Sequence, residues 1–203
     1  MAKGGSMNTQ QRGVTLVELL SVMSIASILT AIAVPNLSGF VVNNRLSGTS
    51  HEFVTVLTLA RSEAILRGAP VVLRRLAAAE QDWSGGWEVF VDLDGNGERD
   101  TSNGSGELVL RASGPMGAPL TLFSSGAAAD GIRFMPNGRV RPLGTGATLF
   151  MLCHDGQVAD AGKPVSRAIL VSDSGRIRMA ATNASGYPLN DAAAAVTSCT
   201  SPA

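Results

Sequence analysis

Gly13-Val14-Thr15-Leu16-Val17-Glu18 decides how the rest of this 203-residue chain is read. It joins a short basic leader, carrying Lys3 and Arg12, to an apolar run, and it sets one carboxylate inside that run. Between Val14 and Val34 the only ionisable side chain is Glu18. As a helix, a run of roughly 20 residues is about 30 Å long, enough to cross a bilayer core. A carboxylate in such a span costs about 2.5–3.5 kcal/mol on insertion scales, so it is read as functional, with a partner to be named. Cleavage after Gly13 would create that partner. Val14 would then carry a free ammonium close to Glu18, or offered to a neighbouring copy.

These residues resemble the N-terminus of type IV pilins: a leader ending in Gly13, a Thr15-Leu-Val-Glu18-Leu-Leu20 continuation, and Pro35 at the end of the span. The resemblance implies that a prepilin peptidase cuts between Gly13 and Val14 and methylates Val14. It implies that Glu18 is the assembly carboxylate that helps register subunits in a helical filament. The first mature residue of the family is usually Phe; here it is Val14. Two other readings fit parts of the pattern. One is a secretory signal, with Lys3 and Arg12 as its basic region and Ala31-Ile32-Ala33 as its cleavage site. The other is a plain membrane anchor, which gives no reason for Glu18. In each, the basic residues hold the N-terminus in the cytoplasm and the remainder is exported.

Leader and span leave roughly 170 residues, enough for one globular domain. Net charge is zero, so no global field drives binding to nucleic acid or to a membrane surface. The charge is unevenly distributed: acids dominate from Glu80 to Asp130, and arginines lead from Gly131 onward. The two cysteines, Cys153 and Cys199, follow an export signal, so an oxidising periplasm favours their pairing. A bridge closing a loop of about 45 residues contributes about 4 kcal/mol in the chain-entropy model. Two buried free thiols are the alternative.

After Pro35 a second helical pattern sets Leu46, Ser50, Phe53, Leu57, Ala60 and Ala64 on one face, with Arg45, Glu52, Arg61 and Arg67 largely outside it. Pro35 and Gly39 are expected to bend or loosen the helix, and Gly68 with Pro70 to end it. From Val71 the period becomes that of strands. Eight short runs are expected: Val71–Leu76, Gly86–Leu93, Glu107–Ala112, Leu120–Phe123, Ile132–Met135, Thr148–Cys153, Ala168–Ser172 and Arg176–Ala180. A helix followed by an antiparallel meander is an α+β chain, with the long N-terminal helix packed on a C-terminal sheet. The expected organisation is a leader at 1–13, a membrane-spanning helix at 14–34, its amphipathic continuation at 35–68, and a periplasmic β-rich domain at 69–203.

The order of these parts resembles the GspH/FimT branch of pilin-like proteins. Besides the N-terminal motif, the match rests on Trp83-Ser-Gly-Gly-Trp87-Glu-Val-Phe90-Val-Asp92 with its Asp94-Gly-Asn96-Gly turn, on Phe134-Met-Pro-Asn-Gly138-Arg139, and on Ser174-Gly175-Arg176-Ile177-Arg178.

Three constellations could carry chemistry. Asp92, Asp94, Asn96 and Asp100 alternate around a glycine turn like an EF-hand calcium loop. Asn103 stands where the closing Glu belongs, so turn chemistry is the competing reading. Trp87, Val89 and Val91 share one strand face, expected to pack on the helix. The tetrad Gly-Arg-x-Arg occurs twice, at Gly138–Arg141 and Gly175–Arg178. Some family members bind DNA through a C-terminal tetrad of this kind during natural transformation. The resemblance therefore makes Arg176 and Arg178, joined by Arg139 and Arg141, candidate phosphate contacts. That requires the acidic stretch to lie away from them. Catalysis has no support: in Cys153-His154-Asp155 adjacent strand residues point to opposite faces. No cofactor is implied. The expected function is a minor pilin-like subunit of a type IV pilus or a type II secretion pseudopilus. Its expected partners are other pilin or pseudopilin subunits, prepilin peptidase and the inner membrane, with DNA as a further candidate.

Overall fold

The structure, a computed structural model, describes residues 13–101, 106–144 and 147–202, and of residues 32–38 it describes the backbone alone. Lys3, Arg12, Asn103 and the side chain of Pro35 therefore lie outside the described residues.

Helix α1 runs from Leu16 to Arg67. The Thr15 hydroxyl accepts a hydrogen bond from the Glu18 backbone N–H at 3.3 Å. It thereby caps one of the donors a helix start leaves unpaired. Gly68 closes the other end at φ +65°, and its N–H returns to the Ala64 carbonyl at 3.1 Å. This is the left-handed glycine that commonly follows a last helical turn. Arg67 and Glu63, one turn apart, pair at 2.7 Å.

Contacts divide the chain into two units, Met1–Val41 and Val42–Ala203. In the first, the large apolar side chains from Val14 to Leu29 are all exposed. Among the described residues no helix is long and apolar enough to cross a membrane. The described side chains from Leu16 to Ala31 amount to about 24 Å of helix, against about 30 Å for a bilayer core. The expected span at 14–34 continues into residues whose side chains are outside the description.

Among the described residues the second unit contains the helix from Val42 and eleven strands. A five-stranded antiparallel sheet has the order β3 (Val109–Ser113), β2 (Trp87–Val91), β1 (Val71–Arg75), β5 (Gly131–Phe134), β6 (Val140–Pro142). A four-stranded sheet has the order β11 (Ile177–Met179), β10 (Ser166–Val171), β7 (Thr148–His154), β4 (Leu120–Ser124). A small pair joins β8 (Ala159–Asp160) to β9 (Lys163–Pro164). The expected strands are present, with ends shifted by a few residues. The single meander is corrected to separate sheets, because β1 pairs with β5 and β4 with β7, both distant in sequence. Strands β6, β8 and β9 are too short to show a period of two.

One core fills the space between the helix and the inner faces of the two larger sheets. The expected helix stripe of Leu46, Ser50, Phe53, Leu57, Ala60 and Ala64 is buried in full. At its centre Phe53, Trp83 and Phe150 meet edge to face, with centroids 4.9 Å apart for Phe53–Phe150 and 5.0 Å for Trp83–Phe150. Trp83 also donates its indole N–H to the Ala128 carbonyl at 3.2 Å, on a buried 3-10 turn at Gly126–Ala128. Trp87 is buried, as expected, and the Arg111 guanidinium lies 5.9 Å from its ring centroid. Arg167 on β10 bonds the Ser166 carbonyl at 2.8 Å and the Asn43 side-chain oxygen on the helix. Its burial lowers its pKa.

The outer faces are covered too. Val72 and Phe90, which point away from the helix, are fully buried. The loop after β2 reaches back over that face: Asp92 pairs with Arg133 on β5, Glu98 with Arg74 on β1, and Arg99 with Glu88 on β2. On the four-stranded sheet Leu149, Met151, Cys153, Ala168 and Leu170 form a second cluster with Val196 and Cys199 of the C-terminal tail.

Candidate functional site

At the N-terminal junction, Gly13 and exposed Val14 precede the Thr15 cap. Glu18 sits in the first turn, where a carboxylate meets the positive end of the helix dipole. It is exposed and makes no ion pair with any described residue. Among the described residues, Glu18 is thus the one carboxylate amid the exposed apolar side chains from Val14 to Leu29. The role of Thr15 escaped the sequence reading. Its signal was the Thr15-x-x-Glu18 spacing, which is that of a capping box.

Cys153 and Cys199, 46 positions apart in sequence, form a disulfide with Cα atoms 6.2 Å apart. The bond ties the tail to the middle strand region of the four-stranded sheet. Within itself the tail is folded by isolated bridges, Thr182 with Pro188 and Leu189 with Ala195. The Cys153 sulfur is bonded and so is not a nucleophile. Beside it His154 Nδ1 lies 3.4 Å from Asp155.

The calcium-like loop is arranged differently from the expectation. Among the described carboxylates, oxygen atoms of Asp92, Asp94 and Glu107 come within 4.8 Å of one another, which adds Glu107 to the expected Asp92 and Asp94. These oxygens already have work. Asp92, fully buried, accepts from the Gly95 N–H at 2.9 Å and from Arg133 Nε at 2.8 Å. Glu107 accepts from the backbone N–H groups of Leu93 and Asp100. Asp94 accepts from the backbone and side chain of Asn96. The residue types therefore serve the turn and its attachment to the sheet.

The two Gly-Arg-x-Arg tetrads, 37 positions apart, are neighbours in space. The Val140 N–H donates to the Asp173 carbonyl at 2.9 Å, joining β6 to the β10–β11 turn. Gly138 at φ +75° and Gly175 at φ +80° need the left-handed freedom of glycine. A Cβ added at Gly175 would meet the Gly138 carbonyl oxygen well inside 3.0 Å. Arg61, read from the sequence as lying largely outside the buried helix face, is half-buried. Its Nε donates to the Gly138 carbonyl at 3.0 Å, and its Nη2 to the Ser174 carbonyl at 3.3 Å. No local pattern marks this contact, because its partners lie 77 and 113 positions away.

Strand alternation sets Arg139 and Arg141 on the outer face of the five-stranded sheet, Arg141 standing opposite Arg133. Arg178 stands opposite Leu170 on the outer face of the other sheet, and Arg176 shares that side. Arg178 is taken up in an ion pair with Asp191. Arg139, Arg141 and Arg176 are exposed, and their guanidiniums pair with no described carboxylate. The acidic stretch does not lie away from the basic one. Its loop crosses the same outer face, with Asp92, Glu98 and Glu88 neutralised by Arg133, Arg74 and Arg99.

Residues 49–175 match the family described as type II transport protein GspH, and residues 8–34 match the prokaryotic N-terminal methylation motif. None of the curated proteins compared matches the chain significantly. Two similar crystal structures are both of the type IV minor pilin FimU of Pseudomonas aeruginosa strain PAO1. In space group P21 the identity is 25%, over 77% of this chain and 96% of that one, with a TM-score of 0.54. In space group P65 it is 23%, over 76% and 99%, with a TM-score of 0.51, a likeness of fold. The helix-first α+β architecture, the methylation motif around Gly13 and the match over most of the folded unit lead to one assignment. The chain belongs to the GspH family and is a type IV pilin-like subunit.

Proposed function

We propose that the chain is a minor subunit cut between Gly13 and Val14 by prepilin peptidase, methylated on Val14, and held in the bacterial inner membrane by a single pass over residues 14–34. Its C-terminal domain lies in the periplasm, and the subunit passes from the membrane into a filament. The family description speaks for a type II secretion pseudopilus and the FimU likeness for a type IV pilus. Both would use the helix in the same way. One observation carries this reading: the first turns of the helix, from Leu16 to Leu29, whose large apolar side chains are all exposed, with Glu18 in the first turn. A helix apolar on every side needs a lipid or protein environment. In that low-dielectric setting the Glu18 carboxylate pairs with the Val14 ammonium of a neighbouring subunit. Glu18→Ala should still insert, because it makes the span more apolar. It should be depleted from sheared filaments while remaining in the membrane fraction. Normal incorporation of the variant would refute the registry role.

A second reading, DNA binding, is supported by the side-by-side tetrads and by three of their arginines, Arg139, Arg141 and Arg176, which are exposed and pair with no described carboxylate. Contacts to phosphates would be sequence-independent and weaken steeply with salt. Fluorescence anisotropy of the detergent-solubilised chain with labelled DNA tests it. The absence of binding at low salt would remove this reading and leave the filament role intact.

A further inference from the structure

We infer that Arg167 holds the phosphate of an anionic phospholipid, at the level where the chain leaves the bilayer. The inference rests on the single-pass reading above and adds a lipid partner to it. Its basis is a half-buried cation with no carboxylate beside it. Arg167 turns to the helix side of β10, where it stands opposite Leu152 of the core. Its Nη1 donates to the Ser166 carbonyl at 2.8 Å and its Nη2 to the Asn43 side-chain oxygen. Both partners are neutral, and burial lowers its pKa by desolvating the cation. The other half-buried arginines on the described strands are Arg74, Arg75, Arg133 and Arg178, and each faces a carboxylate. A cation taken partly out of water beside neutral groups alone is costly, so it favours an anion from outside the chain. The acids of the preceding loop have other neighbours: Asp155 lies 3.4 Å from His154 Nδ1, and Asp160 stands opposite Lys163.

Position selects the anion. Asn43 is the second residue of the folded unit, so Arg167 lies where the chain enters that unit. From Leu19 to Asn44 no residue is ionisable, and Arg45 is the first charge after Glu18. As helix that stretch is about 39 Å long, against about 40–45 Å for a bilayer with both headgroup layers. Chain length alone thus brings Asn43 and its arginine to the outer headgroups. Two of the five guanidinium N–H groups are used by Ser166 and Asn43, which leaves three for phosphate oxygens. Arg45, exposed and two positions beyond Asn43, faces another side of the helix and meets a separate headgroup.

The test is thermal unfolding of the full chain in phosphatidylcholine nanodiscs, with and without about 30% phosphatidylglycerol, an anionic lipid that attracts basic side chains. The fluorescence of Trp83 and Trp87 follows the folded unit. The readout is the difference between the two discs, so a variant's own loss of stability cancels. At about ten-fold saturation the anionic lipid should raise the wild-type Tm by about 3–6 °C. Arg167→Gln should lose most of that rise, and Arg167→Lys should keep part of it, as a charge without the fork. Arg45→Gln should lose a smaller share, and Arg67→Gln, in the last turn of the helix, none. An equal rise in wild type and Arg167→Gln, or no rise in wild type, overturns the lipid site while the single pass stands. Inorganic phosphate should give no rise in phosphatidylcholine discs; an equal rise there would assign Arg167 to a soluble anion. Stabilisation through Arg167 that appears only when two chains share a phosphatidylcholine disc would assign it to a neighbouring subunit's carboxylate and overturn the inference. Failure of the chain to insert into either disc overturns the single pass and the lipid site together.

Discussion

Gly175→Ala probes the contact between the two turns, and the structure supplies its own control. Gly175 and Gly95 have nearly the same backbone, φ +80° and φ +77°. At Gly95 an added Cβ meets nothing within 4 Å. Gly95→Ala should therefore cost only the left-handed conformation, about 1–2 kcal/mol. At Gly175 the added Cβ would meet the Gly138 carbonyl oxygen well inside 3.0 Å and lie 2.8 Å from Arg61 Nε. Neither is the loose end of a free side chain, since the carbonyl is backbone and Arg61 Nε is bonded to it. Relief requires the turns to part, and overpacking of this kind costs about 1–3 kcal/mol more. Thermal unfolding of the detergent-solubilised chain, followed by the fluorescence of Trp83 and Trp87, reads the difference. A chain of this size moves by about 2–4 °C per kcal/mol. Gly175→Ala should melt clearly below Gly95→Ala. Equal melting temperatures would mean that the turns do not touch and that Arg61 has nothing to clasp.

Removing the Cys153–Cys199 bond by the double change to Ser should cost about 4 kcal/mol, from the loop closed over 46 positions. Urea titration checks it, and identical midpoints for oxidised wild type and double variant would contradict the tail's dependence on the bond. Arg133→Met should cost about 3–5 kcal/mol, because it strands the fully buried Asp92 carboxylate. A loss below about 1 kcal/mol in the same titration would mean that the pair is not sealed by the loop, since exposed pairs contribute only that much.

The long helix was legible because its signals are local: an apolar run, a stripe recurring every three or four residues, and Gly68 with Pro70 at its end. Most strands were legible for the same reason. Their partners were not, because alternation says which face a residue takes and nothing about which strand lies beside it. The meander therefore failed where β1 skips to β5. The Asp92–Asp100 run has the composition of a cation loop, and the turn it forms uses the same atoms. What attaches that turn to the sheet, Arg133 on Asp92, lies 41 positions away and has no local signal. Arg61 was opaque for a like reason, since a charged residue beside an apolar stripe reads as solvated until its carbonyl partners are known. Glu18 was the reverse case. Its isolation in the sequence carried the assembly reading, while the structure of one chain contributes its cap and its exposure.

The central claim is that the chain is made as a precursor and matured at Gly13. Intact-mass measurement with N-terminal peptide mapping of membrane-extracted protein tests it most directly. The mature chain should begin at N-methylated Val14 and carry the Cys153–Cys199 bond. A chain that retains the leader, or that begins at Val34 after cleavage behind Ala31-Ile32-Ala33, would contradict it.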